Sequence, residues 1–190
     1  MTELPDAGSN ERVEHVVLVD ASDRPIGQAE KISAHQDGGR LHRAFSIFLF
    51  HPDGRMLLQR RSQDKYHFRG LWTNACCGHP RPGEETSDAA RRRLREELGI
   101  ECPIEKVLEF AYRATDPRSR LTEHEYDHVF MGIFAGDPVP DPLEVGEWKW
   151  MSVAALRSDL EAHPDRYTPW LPIALDRLSA IGPFLVKLPP

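Results

Sequence analysis

Of everything in this 190-residue chain, the segment 72–99, WTNACCGHPRPGEETSDAARRRLREELG, most constrains the fold. A loop rich in glycine and proline runs into a helix. Thr86 or Ser87 stands ready to cap it, Asp88 lies in its first turn, and Gly99 follows its expected end at about Leu98. A loop feeding a helix start in this way delivers several acids and bases to one place.

The rest of the chain supplies strands for that helix to pack on. The β-branched run 15–20 (HVVLVD) reads as a strand. The run 44–50 (AFSIFLF), the turn His51-Pro52-Asp53-Gly54 and the run 56–60 read as a hairpin. Strands are further expected over 107–114, 126–134 and 147–151, and helices over 152–161 and 172–181. With 40% hydrophobic residues, the chain can bury one substantial core, so the expected architecture is α/β (α+β), a single domain over 13–190 in which helices flank a mixed sheet. Residues 1–12, polar and holding Pro5, Gly8, Ser9 and Asn10, read as a flexible tail, and 137–142 (DPVPDP) as a surface loop.

Charge and cysteine content narrow the function. A formal net charge of -6 provides no overall basic field for nucleic acid. No stretch approaches the ~20 apolar residues needed to cross a bilayer, and the polar N-terminus is unlike a signal peptide. Three cysteines, two of them adjacent at Cys76 and Cys77, make a poor disulfide framework and suit a reducing, cytoplasmic compartment.

Spacing then groups the chemically active residues. Arg93 and Glu97 lie four apart on one helical face, so they form either a solvated ion pair or a surface presenting a guanidinium to phosphate and a carboxylate to metal. Glu123 and Glu125 alternate in an extended segment and share a face, with His124 turned away. By the same alternation Cys77 and His79 share a face that Cys76 does not. His35, His42, His79, Glu123 and Glu125 together offer enough imidazole and carboxylate to enclose one divalent ion.

Gly78, Glu84, Arg92, Glu96, Glu97 and Gly99 fall at the spacing of the Nudix box, whose glutamates hold divalent metal beside a diphosphate. One position departs, because Arg93 stands where the box has a glutamate after its arginine. Diphosphate hydrolysis commonly draws on several metals and an activated water, so a lost carboxylate argues against it. With EKISAH, RLHRAFS, LWTNACCGHP, YRATD and EHEYD, the chain from about residue 14 to 170 resembles the type I isopentenyl-diphosphate isomerases, a branch of the Nudix superfamily.

The resemblance implies a Nudix-type fold and a set of roles. Cys77 and Glu125 would face the substrate from opposite sides as the acid–base pair, with Tyr112 and Trp170 as active-site aromatics. Lys31, Arg61, Lys65 and Arg93 would bind the diphosphate, so Arg93 agrees with this branch. Metal ligands would be His35, His42, His79, Glu123 and Glu125 for one divalent ion, Mn²⁺, Zn²⁺ or Mg²⁺, and Glu97 for Mg²⁺ held with the diphosphate. Arg69, where many relatives have proline, and His128, an imidazole the family does not require, depart from the pattern. The reaction implied is double-bond isomerisation of a small diphosphate by a monomer or weak dimer. Which of Cys77 and Glu125 donates the proton is left open. A Nudix hydrolase and a non-catalytic binding protein on the same fold are the alternatives.

Overall fold

A computed structural model describes residues 13–180; the expected tail, 1–12, and Ile181 at the end of the last expected helix lie outside them. In chain order the strands are β1 (His15–Val19), β2 (Pro25–Glu30), β3 (His42–Phe50), β4 (Arg55–Arg61), β5 (Trp72–Thr73), β6 (Cys76–Gly78), β7 (Ile104–Thr115), β8 (Thr122–Ile133) and β9 (Val145–Ser152). The helices are α1 (Lys31–His35), α2 (Thr86–Leu98), α3 (Val153–Ala162) and α4 (Trp170–Ala180).

β3 organises the rest. Its residues 44–50, apolar except for Ser46, are all buried because both faces are covered. Phe45, Ile47 and Leu49 pack with Ala89, Ala90, Leu94 and Leu98 of α2, whereas Phe48 and Phe50 belong to the opposite core with Leu156 of α3 and Leu171 and Leu175 of α4. The strand thus joins two hydrophobic layers, and the mixed α+β architecture follows. β8 runs parallel to β3 and pairs antiparallel with β7; β4 pairs antiparallel with β9. β6 pairs antiparallel with β3 on the edge away from β8, setting Cys77 opposite Ser46, while His42 is set opposite Glu125.

Two elements carry no clear periodic signal, the edge strand β2 and the single-turn-and-a-half helix α1. Glu30 makes α1 possible, its two carboxylate oxygens accepting from the Ile32 and Ser33 amides at 2.7 and 2.6 Å. The cap of α2 differs from expectation: Glu85 is the N-cap residue, without a side-chain bond, and Thr86 already begins the helix. Glu84 fastens the entering loop instead, accepting from the Arg81 amide and from Arg92 Nε and Nη2. At the other end Gly99 adopts φ 64°, the left-handed closure that glycine accommodates. β8 begins at Thr122, four residues before the expected start, which draws Glu123 and Glu125 into the sheet. β1 ends at Val19 because Asp20 turns to accept from the Ser22 and Arg24 amides.

Candidate active site

Over the N-terminal ends of the parallel pair β3 and β8 lies a cavity of about 780 Å³. All thirteen expected site positions bear on it directly or through one another, and their arrangement falls into three parts. Lys31, Arg61, Lys65, Arg93 and Glu97 line it with Cys77, Tyr112, Trp170, His79, Glu123 and Glu125. His35 and His42, both fully buried, stand behind Glu123 and His79.

The first part is the histidine–glutamate cluster. One ligating atom from each of His35, His42, His79, Glu123 and Glu125 lies within 4.8 Å of all the others, close to twice a metal–nitrogen bond of about 2.1 Å. The imidazoles are oriented for this from behind. His35 Nδ1 donates to the Lys31 carbonyl at 2.6 Å, one helical turn back, and His42 Nδ1 to the Arg40 carbonyl at 2.7 Å, which turns each Nε2 inward. Inward, His35 Nε2 meets Glu123 Oε2 at 2.8 Å, and His79 Nε2 meets both His42 Nε2 at 3.1 Å and Glu125 Oε1 at 2.8 Å. Protons alone would require a second one on His35 and one on His79 shared between two acceptors. Burial pushes His42 down to about 4 and His79 lower than an ordinary histidine, which disfavours further protonation there. A divalent cation gives all these lone pairs a partner at once, so the donor set fits a metal.

The two carboxylates are driven apart. Burial would raise Glu123, but His67 and His35 on either side hold it well below the usual carboxylate range. Glu125, buried and facing the charges of Glu123 and Asp127, is pushed well up, and Tyr112 donates its hydroxyl to Glu125 Oε2 at 2.5 Å. Such a split is the environment in which one carboxyl can exchange protons while its neighbour stays ionised.

The second part surrounds Cys77. Alternation along β6 holds: Cys76 is buried in the core under α2, and Cys77 turns to the cavity. The Cys77 thiol donates to Asn74 Oδ1 at 3.2 Å and lies 3.6 Å from Ser46 Oγ, and burial pushes it up to about 12. Asn74 is fixed by donating to the Ile47 and Cys76 carbonyls at 3.0 and 2.9 Å, and its oxygen also accepts from Trp170 Nε1 at 3.3 Å. A single side chain therefore registers the thiol against the indole ring. Phe68 closes on Trp170 edge-on, with centroids 5.2 Å apart. Gly78 lets β6 lie this close, since a Cβ there would stand 3.0 Å from Phe45 Cζ.

The third part is basic and self-neutralised. Arg93 donates to Glu97 Oε1 at 2.5 Å and to Glu144 Oε1 at 2.8 Å; Lys65 pairs with Glu144 and lies 3.7 Å from Glu97. Glu97, 2% exposed, is further held by Gln59 Nε2 at 3.0 Å. Lys31 pairs with Glu14 at 2.7 Å at the rim. Arg61 lines the cavity while donating to the Phe68 and His67 carbonyls, both at 3.1 Å, with its guanidinium 5.6 Å from the Trp170 ring. Neither departure from the family pattern enters the site. Arg69 is exposed, and His128 binds Asp23 Oδ2 at 2.9 Å outside the cavity lining.

Sequence reasoning missed His67, Asn74 and Glu144. Asn74 stood inside the quoted NACCGHP stretch, so it was findable there. His67 lies in an irregular loop, and Glu144 follows the proline-rich one, where no periodicity says which way a side chain points.

The NUDIX domain family matches residues 40–171. Over 159 residues the chain is 52% identical to the isopentenyl-diphosphate Delta-isomerase of Halorhodospira halophila, covering 83% of this chain and 91% of that protein. This chain belongs to the isopentenyl-diphosphate Delta-isomerase family. The enzyme of the same name from Nocardia farcinica is 47% identical, covering 87% of this chain and 94% of its own. Among solved structures, DR0079 of Deinococcus radiodurans superposes with a TM-score of 0.73 at 22% identity, covering 86% of this chain and 98% of that one. That likeness supports the fold alone. Among the described residues, no helix is long and apolar enough to cross a membrane.

Proposed function

We propose that the protein interconverts isopentenyl diphosphate and dimethylallyl diphosphate. The observation that carries this reading is the presence, around one cavity, of a buried thiol, a second buried proton-carrying group at Glu125, an aromatic wall and a basic end. Isomerisation adds a proton to the terminal methylene carbon and removes a different one from the carbon nearer the diphosphate, so protons balance and no oxidant is required. Cys77 and Glu125 come from strands on opposite edges of β3, suited to work on two sides of a bound alkene as acid and base. Tyr112 orients the Glu125 carboxyl. The intermediate is a tertiary carbocation, which the Trp170 ring stabilises by about 2 kcal/mol when water is excluded, worth one to two decades of rate.

Lys31, Arg61, Lys65 and Arg93 take the diphosphate, so that binding far from the alkene orients it. His35, His42, His79, Glu123 and Glu125 would hold one divalent ion, Mn²⁺, Zn²⁺ or Mg²⁺, and Glu97 would hold Mg²⁺ with the diphosphate. Such ions supply positive charge that fixes the Glu125 carboxyl and neutralises phosphate oxygens. Arg93 replaces a carboxylate that metal-dependent hydrolysis would draw on. Incubation with Mg²⁺ and isopentenyl diphosphate, scoring acid-labile allylic product and released phosphate in the same tubes, tests the reading. Allylic product without phosphate is expected; phosphate without allylic product would establish a hydrolase, and neither product a binding protein.

A further inference from the structure

His67 belongs to none of the roles above, yet it is 3% exposed and its Nε2 bonds Glu123 Oε1 in the interior. Glu123 thus has one oxygen, Oε2, directed to His35 and the cluster, and the other, Oε1, directed to His67. The two kinds of imidazole are wired in opposite senses. His35 and His42 place Nδ1 on a main-chain carbonyl and aim Nε2 inward, whereas His67 Nδ1 is buried with no partner among the described residues. The His67 proton is therefore assigned to Nε2, donating to the carboxylate, because Nδ1 offers nothing to donate to.

The surrounding loop is built to hold that ring. Tyr66 stacks on it with centroids 4.1 Å apart and planes 20° from parallel, and Lys31 lies 5.3 Å from the Tyr66 centroid. Arg61 clamps the His67 and Phe68 carbonyls. Phe68, next in sequence, sits at φ 47°, left-handed backbone that a large side chain adopts only when its surroundings impose it. Asp116 supplies part of that constraint, Oδ2 accepting from the Phe68 amide at 3.0 Å.

We infer that His67 is a positioning residue for the metal cluster: its Nε2–H fixes the Glu123 carboxylate so that the second oxygen is presented to the ion. This rests on the histidine–glutamate cluster holding a divalent metal. Ligand-orienting hydrogen bonds of this kind typically strengthen metal binding about 10–100-fold. A merely space-filling His67 would leave affinity unchanged as long as its volume is kept.

The test uses full-length protein, stripped of metal, with Zn²⁺ titrated against a chromophoric chelator. His67→Leu keeps bulk and removes the donor; His67→Gln keeps an N–H near the Nε2 position. Leu should weaken Zn²⁺ about 10–100-fold and Gln should recover much of the loss, with melting temperatures of the stripped proteins similar. Co²⁺ absorption bands of the Gln variant should match wild type, since the ion keeps the same ligands. Equal Zn²⁺ affinity in wild type and His67→Leu would overturn the inference, as would a Co²⁺ spectrum showing a lost ligand in His67→Gln. Absence of Zn²⁺ binding by the wild type would instead sink the metal reading on which it rests.

Discussion

The histidine–glutamate end of the cavity and its basic end are held in place by different means. At the first, His35 and His42 are anchored by main-chain carbonyls, Glu123 by two imidazoles and Glu125 by Tyr112, so geometry persists however the charges balance. At the second, Lys65, Arg93, Glu97 and Glu144 hold one another by charge, and under the proposed roles an arriving diphosphate would compete with Glu144 for both cations. A fixed end suits proton transfer, where small displacements cost rate. An exchangeable end suits a ligand that enters and leaves.

The sharpest break of this contrast comes at the fixed end. Cys77→Ala and Glu125→Gln should each lower the isomerisation rate by roughly 10²–10⁴-fold or more, with KM little changed. Cys76→Ala, which alters the core under α2 only, should stay within a few-fold of wild type. Steady-state kinetics on the three variants decide it, and equal losses at both cysteines would overturn the assignment. Chelation comes next. Removing metal should abolish activity and lower the melting temperature, since an ion present at 100 times its Kd contributes about 2.7 kcal/mol. Full activity in metal-free protein would exclude the cluster from function.

The exchangeable end should respond more mildly and mainly through the substrate. Arg93→Lys keeps the charge but loses the fork whose Nη1 reaches Glu96 while Nη2 reaches Glu97 and Glu144, so kcat/KM should fall about tenfold, or 1.4 kcal/mol. An Arg93→Lys enzyme as active as wild type at low substrate would show that one point charge suffices. Glu144→Gln removes the competitor and should lower KM by roughly 1.5–5-fold, the range of a partly exposed ion pair. Its pH signature has a definite sign. Although burial opposes it, Lys65 and Arg93 pull the Glu144 carboxyl from 4.5 down to about 2. Because the folded value is depressed, its stabilisation is complete above pH 4.5 and lost as pH falls toward 2. The melting-temperature gap between wild type and Glu144→Gln should therefore close across that window; a gap growing with acidity would contradict the pairing.

Regions with a strong period were legible and irregular ones were not. The helix 86–98 could be read because its apolar spacing and Gly99 agree, and the faces of Cys76, Cys77, Glu123 and Glu125 followed from strand alternation. The capping residue was misplaced because Glu84, expected only as part of a motif, bonds Arg92 and the Arg81 amide and sets where the loop ends. β2 escaped notice because it opens on Pro25, contains Gly27 and shows no apolar alternation, its first four residues being exposed, and α1 because five residues are too few to show a helical period, although it carries Lys31 and His35.

By itself, the sequence determined the family, the local direction of the strand-borne side chains and most of the residues around the cavity, though not His67, Asn74 or Glu144, since these readings depend on composition and on neighbours along the chain. Tertiary structure alone decided which donors converge. His35 and Glu123 are 88 positions apart, and Lys65 and Glu144 are 79. The parallel pairing of β3 with β8 brings the first pair together, and the antiparallel pairing of β4 with β9, which sets Arg61 opposite Val145, brings the second. Tertiary structure also decided where His67 points, because an imidazole in an irregular loop takes its direction from the carboxylate in front of it, and Glu123 is 56 positions away.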